Sequence, residues 1–259
     1  MAVLGIVACE ILELEFAHLL SDDEDITGIT VVEEDASTGF IDALERIGRL
    51  RPRRIPLIKG YTPGSATGTE VLVRILELAL HNRKWILQEG LLKAVKEMAR
   101  YVSAIFLGYG LCGNALENLD ELLADVPIPV MVPMDTDHPV DDCVGLIIGG
   151  RECYYEEQCK EAGTFFMIPG WTRHWRKIIA KEYGNVDEKM ARRIFSAYKR
   201  SLLIPDTVLT LEEMRKNTQE FNEFFGFDVQ VRAGSMRILQ EQWGEAKTVL
   251  AKIGKGEET

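Results

Sequence analysis

The chain carries five cysteines, Cys9, Cys112, Cys143, Cys153 and Cys159. Three of them follow apolar, strand-like runs. Cys9 closes Val3–Cys9, Cys112 lies in Gly108-Tyr109-Gly110-Leu111-Cys112-Gly113-Asn114 after Val102–Leu107, and Cys143 comes shortly after Ile128–Val132. The carboxyl ends of the strands of an open parallel sheet share one edge, and ligands bind along it. Three thiols far apart in sequence can therefore meet there. Three thiolates with one open position suit two centres: a [4Fe–4S] cluster with one iron free for substrate, or a Zn²⁺ completed by His138 or water. They equally suit small buried hydrophobes, and no CxxC spacing decides between these readings. Cys153 and Cys159, six residues apart on a helical stretch, read as structural.

Two further patterns carry chemistry. Gly108–Gly113 matches GxGxxG between a strand and a helix, with Asp135 near the end of the next strand, the context in which a helix start holds a pyrophosphate. Against it stand a bulky Leu111-Cys112 pair where the backbone would approach phosphate, and no nearby cation. Asp135, Asp137, His138, Asp141 and Asp142 form the densest polar cluster and could hold a divalent metal through hard oxygens, or be a solvated acidic loop. His81, in Leu80-His81-Asn82, reads as a cap, and His174 as able to reach the same rim as Trp171.

These residues need a scaffold that presents them together. Short β-branched runs alternate with amphipathic stretches: strands at 3–9, 26–32, 55–58, 102–107, 128–132 and 164–168, and helices at 10–20, 37–49, 70–80, 85–98 and 115–123. After Trp171 the periodicity is helical throughout, over 173–183, 187–201, 211–225 and 236–253. The pattern predicts an α/β fold, a mostly parallel sheet covered by helices, with a helical C-terminal portion. The division expected is 1–171 for the cysteine-bearing core and 172–259 for the helical portion packed on the same unit.

Composition narrows the partners. The formal net charge is −11, and residues 101–150 hold eight acids with no lysine or arginine. Without a basic stripe, nucleic acid is excluded as a partner, because phosphate binding needs clustered cations. No run of about 18 apolar residues predicts a membrane span. The apolar start lacks a basic region and meets Glu10 at once, which reads as a buried strand rather than a leader. Thiols rather than a disulfide framework point to the cytoplasm.

Three segments resemble an uncharacterised domain family of methanogenic archaea and anaerobic bacteria: Tyr109–Asn114, Asp142–Tyr154 and Gly163–Trp171. Ala8-Cys9, Leu80-His81-Asn82 and the segment near Gly234 extend the resemblance over nearly the whole chain. Departures are Glu10 after Cys9, Ala115 after Asn114, Gly150 in place of a serine, and Asp141 where the family places a histidine. Genes of the family often neighbour corrinoid-dependent methyltransferases, so the resemblance implies anaerobic one-carbon metabolism. It also implies that Cys9, Cys112 and Cys143 are the metal ligands. The expectation is then a [4Fe–4S] enzyme whose small-molecule substrate is oriented by Asn114, Asp142, Arg151, Tyr154 and Trp171. The alternatives are a zinc-thiolate methyltransferase and a non-catalytic metal or corrinoid-protein binding and delivery partner.

Overall fold

The computed structural model describes residues 2–64, 68–184 and 186–256. The chain opens with β1 (Val3–Cys9), a short 3₁₀ turn over Glu10–Leu12, α1 (Glu13–Asp22), β2 (Ile26–Val32), α2 (Thr38–Ile47) and β3 (Arg53–Ile55). It continues through β4 (Thr69–Leu76), α3 (Lys84–Met98), β5 (Ala104–Gly108), a one-turn α4 (Leu119–Leu123) and β6 (Val130–Met131). These six strands form one sheet in the order β3-β2-β4-β1-β5-β6, parallel at every pairing. The residues of β1 alternate between two cores. Leu4, Ile6 and Ala8 face α1, α2 and the C-terminal helix, while Val3 and Val7 face α3. A strand covered on both faces reads as a continuous apolar run, and every residue of β1 but Cys9 is buried.

The remainder comprises a two-stranded hairpin, β7 (Met134–Asp135) with β8 (His138–Pro139), then α5 (Cys143–Ile148), α6 (Arg151–Lys160), β9 (Thr164–Met167), α7 (Pro169–Tyr183) and α8 (Glu188–Ile194). It ends with β10 (Arg200–Leu203), α9 (Leu211–Phe225), β11 (Asp228–Val231) and α10 (Arg237–Lys255). β9, β10 and β11 make a second parallel sheet that crosses residue 171. α10 returns to the first sheet, where Trp243 packs on Phe106 and its indole N–H donates to Asp23 Oδ2 at 2.6 Å.

The fold is the expected one: mostly parallel, helix-covered, with a largely helical C-terminal portion. Local readings change, and β11 is a strand within the stretch expected to be helical throughout. The helix expected over 70–80 is the central strand β4, and the terminal part of the 187–201 helix is β10. A short apolar run has no periodicity that separates a strand from a buried helix; in β4, Val71, Val73 and Ile75 lie between β2 and β1. β10 was masked by Arg200, a charged residue at 5% exposure. Its guanidinium is satisfied by Thr164 Oγ1 at 2.7 Å and by the Glu157 carbonyl and carboxylate at 2.8 and 3.0 Å.

Candidate functional site

β1 is where the chain changes direction across the first sheet. The connection after β1 leaves towards β2, whereas β5 and β6 lie on the other side. Such a switch point leaves a crevice at the strands' carboxyl ends. Here it is a cavity of about 300 Å³, walled by the segments that follow β1, β4 and β5, by 142–144 and by α7. Cys9, Cys112 and Cys143 all line it.

Local packing brings the thiols to one place. Ala8 pairs with Gly108 across β1 and β5, so Cys9 and Tyr109 emerge side by side. After Tyr109 the chain makes a left-handed turn, with φ of 50°, 64° and 66° at Cys112, Gly113 and Asn114. Left-handed backbone costs an ordinary residue roughly 1–2 kcal/mol. Ala79, at φ 63°, lies in the 77–82 segment on the same cavity, and strained residues of this kind collect at functional sites. The turn is tied to the segment before Cys143 by Leu111 N–H to Val140 O at 2.9 Å and Cys112 N–H to Asp141 O at 2.8 Å. Gly110 allows this approach, because a Cβ there would stand 2.5 Å from the Val140 carbonyl oxygen. Gly170 does the same for α7: its Cβ would meet the Ile11 carbonyl at 1.8 Å, so only glycine lets α7 settle on the turn after Cys9 and bring Trp171 to the cavity wall.

The electrostatics are those of a buried recess that favours the protonated form of its thiols. Burial pushes the Cys9 thiol up to about 11. Burial, then Cys9 and Asp142, raises Cys112 further, and burial followed by Asp142, Cys112 and Cys9 raises Cys143. Tyr109, 4% exposed, has a fully buried hydroxyl beside all three thiols, with the Cys9 thiol as its hydrogen-bonding neighbour. Sequence reasoning passed over Tyr109; an aromatic between two glycines at a strand end was the available signal.

Asp142 and Trp171 line the cavity. Asp142 caps α5 through Gly145 N–H at 2.8 Å and accepts from the Tyr154 hydroxyl at 3.3 Å, which places Tyr154 directly behind the wall. Asn114 and Arg151 are exposed and stand outside the lining; Arg151 pairs with Asp137 at 3.8 Å. Cys153, Cys159 and His138 are not in the wall. The acidic run does local structural work, with Asp135 accepting from the Arg151 N–H at 2.6 Å at the start of α6. The pyrophosphate geometry suggested by Gly108–Gly113 does not form, since no helix begins there and α4 starts only at Leu119.

Among the described residues, one set of three side chains has ligand-type atoms all within 4.8 Å of one another: Glu10, Glu13 and His174. Its charges are already matched. Lys177 Nζ holds both Glu10 oxygens at 2.6 and 2.8 Å, and Glu13 meets His174 at 2.8 Å and Arg173 at 3.5 Å. His174 thus serves Glu13 and does not reach the cavity rim. Glu10 also accepts from Leu78 N–H at 3.2 Å, which fixes the 77–82 segment against the turn after Cys9. Sequence reasoning missed this buried group; a helix apolar on every side carries its acids into the interior.

The parallel sheet, covered by helices and with a cavity at its switch point, defines an α/β protein. The chain belongs to the DUF1638 family of proteins of unknown function, whose profile matches residues 75–243. The matched segment contains Cys112, Cys143, His81 and Trp171 and begins after Cys9. A comparison with curated proteins found no match.

Proposed function

We propose that the protein is a cysteine-ligated metalloprotein in which Cys9, Cys112 and Cys143 hold a [4Fe–4S] cluster with one iron open to substrate, serving a step of anaerobic, corrinoid-linked one-carbon metabolism. The observation that carries the reading is the convergence of three thiols, from three separate segments, on one cavity that also holds the buried Tyr109 hydroxyl. The donor set fits such a group. Thiolates on a single tetrahedral zinc stand about 3.8 Å apart, from Zn–S bonds of about 2.3 Å. The three sulfurs here are not all within 4.8 Å of one another, so a single zinc would need them to close in. Tyr109 supplies a donor where sulfur acceptors would lie.

When bound, such a cluster supplies an electron and a Lewis-acidic iron. The chain's own residues do the rest. Leu78, Leu80, Leu87 and Ile178 exclude water, Asp142 and Trp171 bound the space beside the thiols, and Tyr154 fixes the Asp142 carboxylate. Replacing Cys9, Cys112 or Cys143 singly with serine should remove metal retention in protein prepared without oxygen, while Cys153→Ser and Cys159→Ser retain it. Full metal content in two of the three ligand variants would sink the shared site.

A further inference from the structure

The cavity wall sorts ligands by charge. It contains three carboxylates, Glu77, Asp142 and Glu182, with His81 and no lysine or arginine. Two lysines of α7 lie close by, and both are engaged: Lys177 on Glu10, and Lys181 on Glu77. Asp142 is occupied by Gly145 and Tyr154. Glu182 differs. Its side chain is only 20% exposed and accepts from the Tyr183 hydroxyl, but no lysine or arginine among the described residues pairs with it, and the His81 ring stands 4.0 Å away, beyond hydrogen-bond length. His81 is half exposed and marks the mouth. Along α7 the lining runs from Trp171 through Ile178 to Glu182, roughly 16 Å at the helical rise of 1.5 Å per residue, with the carboxylate at one end and apolar side chains before it. An anion entering would lose its hydration with no counter-charge to replace it. A cation would find Glu182.

We infer that the cavity takes an elongated small organic cation, a protonated amine on an apolar chain, with Glu182 as its counter-ion at the mouth and its apolar end directed along Ile178 towards the thiols. This rests on the proposed function only in taking the same cavity as the ligand site. The 77–82 segment, which carries Leu80-His81-Asn82, then has a task. Ala79 in left-handed conformation and the Glu10 bond to Leu78 N–H hold it so that His81 faces Glu182 across the opening.

The test is calorimetric titration of the full chain, prepared without oxygen, with hexylammonium, hexanol and hexanoate at matched ionic strength. Hexylammonium should bind at least tenfold more tightly than either of the others. Glu182→Gln should abolish that preference. Lys181→Gln, which leaves Glu77 without its counter-ion, should strengthen hexylammonium binding severalfold. Opposite signs from two neighbouring positions cannot come from general loss of fold. Hexanoate binding as tightly as the amine, no binding of either, or an unchanged preference in Glu182→Gln overturns the inference. Metal analysis of the same samples separates the two readings: amine selectivity without metal removes the metal reading alone, and metal without selectivity removes this one alone.

Discussion

Tyr109 is the residue on which the chemistry of the recess turns. Its hydroxyl is buried among Cys9, Cys112 and Cys143, with Cys9 as its hydrogen-bonding neighbour. In metal-free protein the hydroxyl bonds to the Cys9 thiol, so Tyr109→Phe should change thermal stability there by no more than about 1 kcal/mol. With a cluster bound, the same hydroxyl would donate to sulfur, and hydrogen bonds to sulfur raise reduction potential. Tyr109→Phe should then leave iron content unchanged and shift the midpoint potential to more negative values, read by redox titration. An unchanged potential in a fully loaded variant would remove Tyr109 from that role. The three thiols were legible in the sequence because each closes a recognisable strand or follows one. Tyr109, Glu10 and Glu182 were not, because their roles depend on which partners burial leaves them.

At the scale of elements, the site depends on how closely backbones approach. Gly110→Ala would drive a Cβ to 2.8 Å from the Asp142 nitrogen as well as onto the Val140 carbonyl, so the segment before Cys143 must back away. Overpacking of this kind costs about 1–3 kcal/mol, and the variant should stay folded by circular dichroism while metal affinity falls at least tenfold. The second sheet has its own anchor. Burial alone would raise Glu157, but Lys160, Arg232 and Arg200 outweigh it and hold the carboxyl at about 2. Since the unfolded value is about 4.3, the stability Glu157 supplies is fully present above that pH and is lost as pH falls through about 2. Glu157→Gln should cost about 3 kcal/mol at neutral pH, as breaking a buried ion pair does, and should flatten that acid dependence in urea denaturation. The alternation that revealed the first sheet failed for β4 and β10. In β4 the alternating polar face is missing because both faces are buried, and in β10 the buried charge of Arg200 hides the strand.

Over the whole molecule, charge and topology point to the same place. Of a net −11, the stretch 101–150 contributes eight acids and no lysine or arginine, and it supplies Tyr109, Cys112, Asp142 and Cys143 to the cavity wall. A cluster with three thiolate ligands is itself anionic, so an acidic surround disfavours its reduction and favours cationic ligands. The sheet order could not be read from the sequence, and with it the fact that α7 closes the cavity: the strand order sets which carboxyl ends are neighbours, and only long-range pairing fixes it. The most direct measurement is the iron, sulfide and zinc content of the chain purified without oxygen, with its absorption spectrum. The account predicts about four iron and four sulfide per chain and a broad band at about 400 nm, both lost in Cys112→Ser. A colourless protein with a single zinc, or with no metal at all, would contradict it.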